Sequence, residues 1–558
     1  MKNKARLIII LIFLILSTGC SQDIEKSDEL QHENINSGEL EEEIENSEDE
    51  VVDQVLNINW RQEPPNLDPQ LTIDQVSFSV INSVYEGLVR LNPDGSIGEG
   101  LAEDWEISED GTEYIFHLRD AKWSDGTTIT AEDFSYAWLR TLNPQSYSLY
   151  SYQLYYIENA EAYNNGLIKD PNKVGIEVID EKTLKVKLIR ETPFFLSLTS
   201  FITYIPAQKK AVEEWGDSFA TEAEKMVYSG PFIIKEWVHD KKLILEKNPN
   251  YWDSEKVKLD KIEGVMLRDN NKIIEMYDDG ELDIAKVPSE FLKIYKESPE
   301  YHSLSQAVTW YLQFNNQDSW FNNYKLRKAF ALATDAQTYV DAIQGGMGIV
   351  AEGYTPPSMK GVDGKTFGET RNSELPDYNP EEAEKLFLEA LEELEITKED
   401  FEENATFLVG EGDTWSKIAQ FFQSQWEYAF DIKINIESLK YKALLERYQY
   451  GEYKITYSGW IGDYNDPLTF MDVWVTNNGN NTSFYSNPDY DEAVKKALKE
   501  TGDLRYEAMA EAELILAEDL PIYPMYHPSR NFVQKSYVKD IARHPLGANY
   551  DFKWAFIE

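Results

Sequence analysis

The chain holds one cysteine in 558 residues, Cys20, so no intrachain disulfide can form. The folded part must hold by packing and polar bonding alone. Its apolar run, Leu7 to Leu16, is ten residues, short of the roughly 20 needed to span a bilayer. Cations are scarce as well: 53 Lys and Arg stand against 100 Asp and Glu, a net charge of −47. That balance excludes partners held by phosphate neutralisation, nucleic acid among them. Of the six histidines, His32, His117, His239, His302, His527 and His544, none forms an H-E-x-x-H motif or a close pair. A zinc site is not expected. No G-x-S-x-G elbow occurs, the "GKT" at Gly364 to Thr366 has Met359 where a phosphate loop needs its first glycine, and "GGMG" at Gly345 to Gly348 reads as a flexible turn. Among so many carboxylates, no single pair signals a glycosidase. No enzyme is expected, and no cofactor or metal is called for.

What is present begins with Lys2, Lys4 and Arg6 ahead of the apolar run, the pattern of an export leader over residues 1–19. Cys20 directly follows "STG", which resembles a bacterial lipobox although Ser17 stands where leucine is usual. That resemblance makes Cys20 a lipid-attachment site, the alternative being an ordinary cleavage site with a small residue nearby. Residues 21–53 carry 14 acidic residues against one basic, Lys26, and no aromatic. Such a segment cannot bury enough apolar surface to order itself, so residues 20–54 are expected to be a self-repelling tether. Setting aside the leader (+3) and the tether (−13) leaves −37 on the folded part.

From Val55 the pattern alternates. "VLNINW" predicts a strand, "TEYIFHL" another, and Thr130 with Asp133 three residues on predicts a capping box opening a helix that carries Phe134, Ala137 and Trp138. "VGIEVIDEKTLKVKLI" reads as a hairpin. Later the grammar shifts to helix and strand in turn: "TWSKIAQFFQSQWEYAF", "DIKINIESL", "YKALLERYQYGEY", "KITYSGW". That alternation predicts parallel strands covered by helices, with ligands bound in loops at the strand ends. The loop "GWIGDYNDP", Gly459 to Pro467, is of this kind and holds two aspartates. Aromatic runs such as "YSLYSYQLYY" and "TWYLQFNN" sit beside turn signals. They fill core or line a cleft, and with no catalytic constellation the cleft reading favours a binding protein.

The block "LAEDWEISEDGTEYIFHLRDAKWSDGTTITAEDFSYAWLR", Leu101 to Arg140, resembles the signature of the extracellular solute-binding proteins of peptide ABC importers, the oligopeptide-binding group of the dipeptide, oligopeptide and nickel family. "LDP", "YEGL", "LEKNPNYWD", "FNN" and "GWIGDYNDP" match in the family order, so the likeness runs from about Val55 to Glu558. It implies an α/β bilobal periplasmic-binding-protein-like clamp with a hinge and an extra inserted domain. Domain I is expected at residues 55–85, 210–311 and 530–558, domain II at 86–209, and domain III at 312–529, with the chain crossing between lobes near 311 and 530. The resemblance further implies that Asp463 pairs with the α-ammonium of a peptide and that Trp460 walls a side-chain pocket. Backbone around Tyr457, Ser458 and Gly459 would pair with the extended peptide, as would the stretch Ile73 to Val76, including Gln75. Tyr150 would reach the ligand. Tyr457 stands where relatives carry an arginine used with short peptides. The implied partners are an oligopeptide, an ABC permease and, through it, an ATPase; the chain itself is expected to be a monomer held outside the membrane by lipid at Cys20. Relatives that bind dipeptides, nickel complexes, haem or sugars offer an alternative cargo, and a cell-surface hydrolase of peptides or glycans an alternative class.

Overall fold

The computed structural model describes residues 52–362, 365–370 and 374–558. The expected leader, Cys20 and the acidic stretch through residue 51 lie outside them. Gln54, placed at the end of the expected tether, already belongs to the fold: its Nε2 donates to the Ile557 carbonyl at 2.8 Å and its Oε1 accepts the Ile557 N–H at 3.0 Å.

Alternation becomes strand as expected. In Val55–Asn59 the inward Leu56 and Ile58 are buried, and in Glu113–Leu118 so are Tyr114, Phe116 and Leu118. The first of these strands pairs in parallel with Lys261–Val265, which continues antiparallel through Lys242–Lys247 to Phe232–Val238. A second four-stranded sheet is antiparallel throughout, in the order Ala102–Ile107, Glu113–Leu118, Thr183–Lys187, Ile176–Asp180. Beside it lies the helix Ala131–Leu142, where the Asp133 carboxylate accepts the Thr130 N–H at 2.9 Å and closes the capping box.

The largest sheet has eight strands. Its helix-and-strand portion is parallel: Thr406–Gly410 pairs in parallel with both Asn435–Leu439 and Ile455–Ile461. The helix Asp413–Phe430 covers it, and Ile418, Phe422 and Trp426, four residues apart, are its buried stripe. The other portion is antiparallel and built along one long strand, Ile522–Gln534. Tyr301–Ser305 and Val308–Phe314, parted only by Gln306 and Ala307, both lie along that strand. Positions 311 and 530, where the resemblance implies crossings between lobes, therefore fall inside paired strands rather than in free loops.

One ion network knits distant segments. Arg90 is 6% exposed and pairs with Glu86 at 2.9 Å and with Asp551, while Tyr251 donates its hydroxyl to Glu86. Removing one member leaves a buried charge unpaired. The Arg90→Gln variant is expected to lose about 3–5 kcal/mol of unfolding free energy, read from urea denaturation midpoints at unchanged slope.

Candidate functional site

The site grows from the end of the strand Ile455–Ile461. Past residue 461 the chain leaves the sheet, and the turn Pro467–Phe470 closes the loop behind it. Asp466 holds that turn: its carboxylate accepts the Leu468 N–H at 3.0 Å and takes both Arg505 guanidinium arms at 2.8 and 2.7 Å. It is spent inside the fold.

Asp463 is not. Its N–H donates to the Thr469 hydroxyl at 2.8 Å, which fixes the backbone. Its carboxylate accepts a hydrogen bond from the Tyr152 hydroxyl at 3.1 Å, a residue 311 positions away. No Lys, Arg or His forms an ion pair with it among the described residues. Burial pushes the Asp463 carboxyl up to about 6, the Tyr152 bond offsetting part of the rise. Beyond it Asp472, which accepts the Tyr464 hydroxyl at 2.7 Å, is pushed up to about 7 by burial, with the charge of Asp463 adding to the rise. The carboxylate at this spot lacks the cation that would relieve it.

The loop docks against the segment carrying Phe194 and Ser197. Phe194 and Tyr464 stack at 3.9 Å, and the Asn465 N–H donates to the Ser197 hydroxyl at 3.1 Å. Asp463 thereby faces a cavity of about 90 Å³ shared with Tyr85, Arg90, His544 and Tyr550. Two polar atoms of its lining, the Tyr85 hydroxyl and His544 Nε2, are buried with no hydrogen-bond partner among the described residues. Burial holds His544 below the ordinary imidazole range, so the ring is neutral at pH 7. Buried polar atoms without partners are costly unless a ligand or water meets them.

The strand edge next to Asp463 is open. Ile455–Ile461 pairs with Val308–Phe314 along its length but with Thr406–Gly410 only at Ile455 and Thr456. At both ends the even-numbered residues bond to the first neighbour: the Gly462 N–H donates to the Ala307 carbonyl at 2.9 Å, and the Asn315 N–H to the Lys454 carbonyl at 3.0 Å. The backbone groups of Gly459 and Ile461 consequently point to the edge that lacks a strand. A side chain at Gly459 would strike the Trp310 ring, its Cβ coming within 2.8 Å. Ser458 and Trp460 are half-buried, and Trp460 Nε1 donates to the Thr469 carbonyl at 2.7 Å.

The other expected contacts fare differently. Tyr150 is half-buried against Phe78, Phe201 and Tyr152, near enough to feel the Asp463 charge. Tyr457 is withdrawn. It is 1% exposed, its ring stacks on Trp310 at 5.3 Å, and its hydroxyl meets that of Tyr339 at 2.8 Å. The side chain belongs to the core, while the expectation made at Tyr457, of pairing through its backbone, does not depend on the ring. The stretch Ile73 to Val76 is a helix start rather than an extended edge, because Asp74 caps Gln75–Val84 by accepting the Val76 and Ser77 N–H groups. The Val76 amide is used there. Ile73 is exposed, and Gln75 and Val76 line a separate cavity that meets the first through Tyr550. Sequence reasoning missed Tyr152, Tyr85 and His544; only the aromatic run around Tyr152 gave any signal.

The family of the chain follows from its likeness to known proteins. Residues 96–482 match the family described as bacterial extracellular solute-binding proteins, family 5 Middle. The chain belongs to that family. It is similar to the oligopeptide-binding protein OppA of Bacillus subtilis (strain 168), 34% identical over 503 residues that cover 89% of this chain and 91% of the relative. Among solved structures it resembles Listeria monocytogenes OppA bound to peptide, 32% identical with a TM-score of 0.69, covering 90% of this chain and 99% of the other. It also resembles the murein tripeptide-binding protein MppA in its unliganded open form, 27% identical with a TM-score of 0.76 over 90% of this chain and 97% of the other. The less identical relative is the better match in shape.

The raised pKa of Asp463 has a measurable sign. An acid that holds its proton more tightly folded than unfolded costs stability as pH rises from about 4 through about 6. Asp463→Asn is therefore expected to stabilise the ligand-free protein at pH 7 by about 1–3 kcal/mol and to leave it unchanged near pH 4. Thermal unfolding of both proteins at the two pH values checks this.

Proposed function

We propose that this chain is an extracellular receptor, anchored by lipid at Cys20, that captures oligopeptides in a cleft between two lobes and delivers them to the permease of an ABC importer. The observation that carries the reading is the buried Asp463 carboxylate, which among the described residues is bonded only by a tyrosine hydroxyl and has no cation paired with it. A peptide's α-ammonium supplies the missing charge, and a charge-assisted bond in so dry a setting is strong. Beside it the open edge of Ser458 to Ile461 offers backbone groups for strand-like pairing with a main chain, which explains capture of many sequences by one site. In this reading domain I comprises 55–85, 210–311 and 530–558, domain II 86–209 and domain III 312–529, and the strands around 311 and 530 act as the hinge. The names of the relatives, oligopeptide-binding proteins and a murein tripeptide-binding protein, support the cargo class.

Calorimetry with a mixed peptide pool tests the reading. The pool is expected to bind, N-acetylation to abolish most of that binding, and Asp463→Asn to weaken the unmodified pool by about 3–5 kcal/mol. Because the carboxylate must be ionised to pair, affinity should fall about tenfold between pH 7 and pH 5. Equal binding of the acetylated pool removes the ammonium assignment, and peptides cleaved during incubation would make the protein a hydrolase. Independently, Cys20→Ser is expected to move the protein from the membrane fraction to the culture medium.

A further inference from the structure

The cavity lined by Gln75 and Val76 has a volume of about 300 Å³ and a charge opposite to that of the chain as a whole. Acidic residues outnumber basic ones by 100 to 53 in the sequence, yet this lining carries Arg61, Lys286 and Arg530 and no carboxylate. None of the three has an ion pair among the described residues: Arg61 donates to the Asn270 side chain at 3.3 Å and Arg530 to the Asn549 carbonyl at 3.3 Å. The three cations face one another. Desolvation, then the charges of Arg61 and Arg530, hold the Lys286 ammonium below the ordinary lysine range, and desolvation lowers Arg530 as well. Asp74, on the helix that lines the chamber, is occupied by its cap bonds. Lys286 is exposed and Arg61 and Arg530 are half-buried, so three cations without an ion pair line a chamber that an anion can enter from outside, and like charges gathered on one lining attract such an anion.

The cavity also has a place in the cleft. Tyr550 lines both this chamber and the one that holds Asp463, and the chain from Ala548 to Tyr550 runs between them. A ligand whose ammonium meets Asp463 can extend past Tyr550 toward the cations. Building on the proposed function, we propose that the chamber of Arg61, Lys286 and Arg530 is a carboxylate subsite, which receives an acidic group of the bound peptide and takes over from the arginine missing at Tyr457. Arg530 supplies a planar fork suited to two carboxylate oxygens and Lys286 a point charge beside it. The acidic group has two sources, the peptide's C-terminus or a Glu or Asp side chain, and both offer the same chemistry.

Calorimetry on the full protein separates the outcomes, using peptides of graded length as free acids, as C-terminal amides, and as amides carrying one glutamate near the end. For the lengths that reach the chamber, amidation is expected to weaken binding to the native protein by about tenfold or more. Lys286→Gln and Arg530→Gln should each weaken the free acid similarly and leave the amide unchanged, so that the two losses do not add. Recovery of affinity by the glutamate-bearing amide supports the subsite with a side chain as its source. If amidation has no effect at any length, or if the variants weaken acid and amide alike, the subsite is refuted. Thermal unfolding of each variant accompanies the titrations, and Arg61→Gln serves as a third probe should Arg530→Gln fold poorly. Loss of the N-terminal dependence as well would refute the peptide reading; its persistence with no C-terminal or glutamate dependence would refute this inference alone.

Discussion

The pairing of two strands, Val308–Phe314 against Ile522–Gln534, underlies everything else in this molecule. Through it the antiparallel and parallel portions of the eight-stranded sheet become one sheet, and Tyr301–Ser305 extends the same ladder beyond Gln306 and Ala307. On the other side of Val308–Phe314 lies Ile455–Ile461, whose end launches the loop that carries Asp463. The position of the key carboxylate is thus inherited from backbone hydrogen bonds laid down hundreds of residues apart. Ladder bonds of this kind flex but do not slip, because a one-residue slip would turn Tyr457 out of its core and Ser458 into it.

A chain with no disulfide among its described residues needs other fastenings between distant segments, and buried charge provides them. Arg90 ties Glu86 to Asp551, and Arg505 grips Asp466 through two bonds. In these networks every charge has an opposite. Asp463 and the group of Lys286, Arg530 and Arg61 differ in having no ion pair among the described residues.

Much of this was legible in the sequence. Period-two alternation gave Val55–Asn59 and Glu113–Leu118, four-residue spacing gave the buried stripe of Asp413–Phe430, and Thr130 with Asp133 announced its helix. The alternating helix and strand after residue 413 foretold parallel pairing. What escaped was whatever depends on long-range contact. Tyr152 lies 311 positions from Asp463, and nothing in "YSLYSYQLYY" distinguishes it from Tyr150. The fate of Tyr457 was decided by Trp310 and Tyr339, which only the folded sheet brings to it. At Ile73 to Val76, by contrast, the signal was present and overlooked: an aspartate before an apolar run is a helix start.

In the proposed reading, the hydroxyl that Tyr152 gives to Asp463 acts as a place-holder. A bare carboxylate in a dry cleft would draw in sodium, stray amines or water chains, each of which a cargo would have to evict. A phenol is a neutral donor on a side chain 41% exposed; it would yield to an ammonium at small cost and return once the ammonium left. Release would then be assisted by a competitor that is always at hand, an advantage for a carrier that must surrender its load as readily as it takes it up.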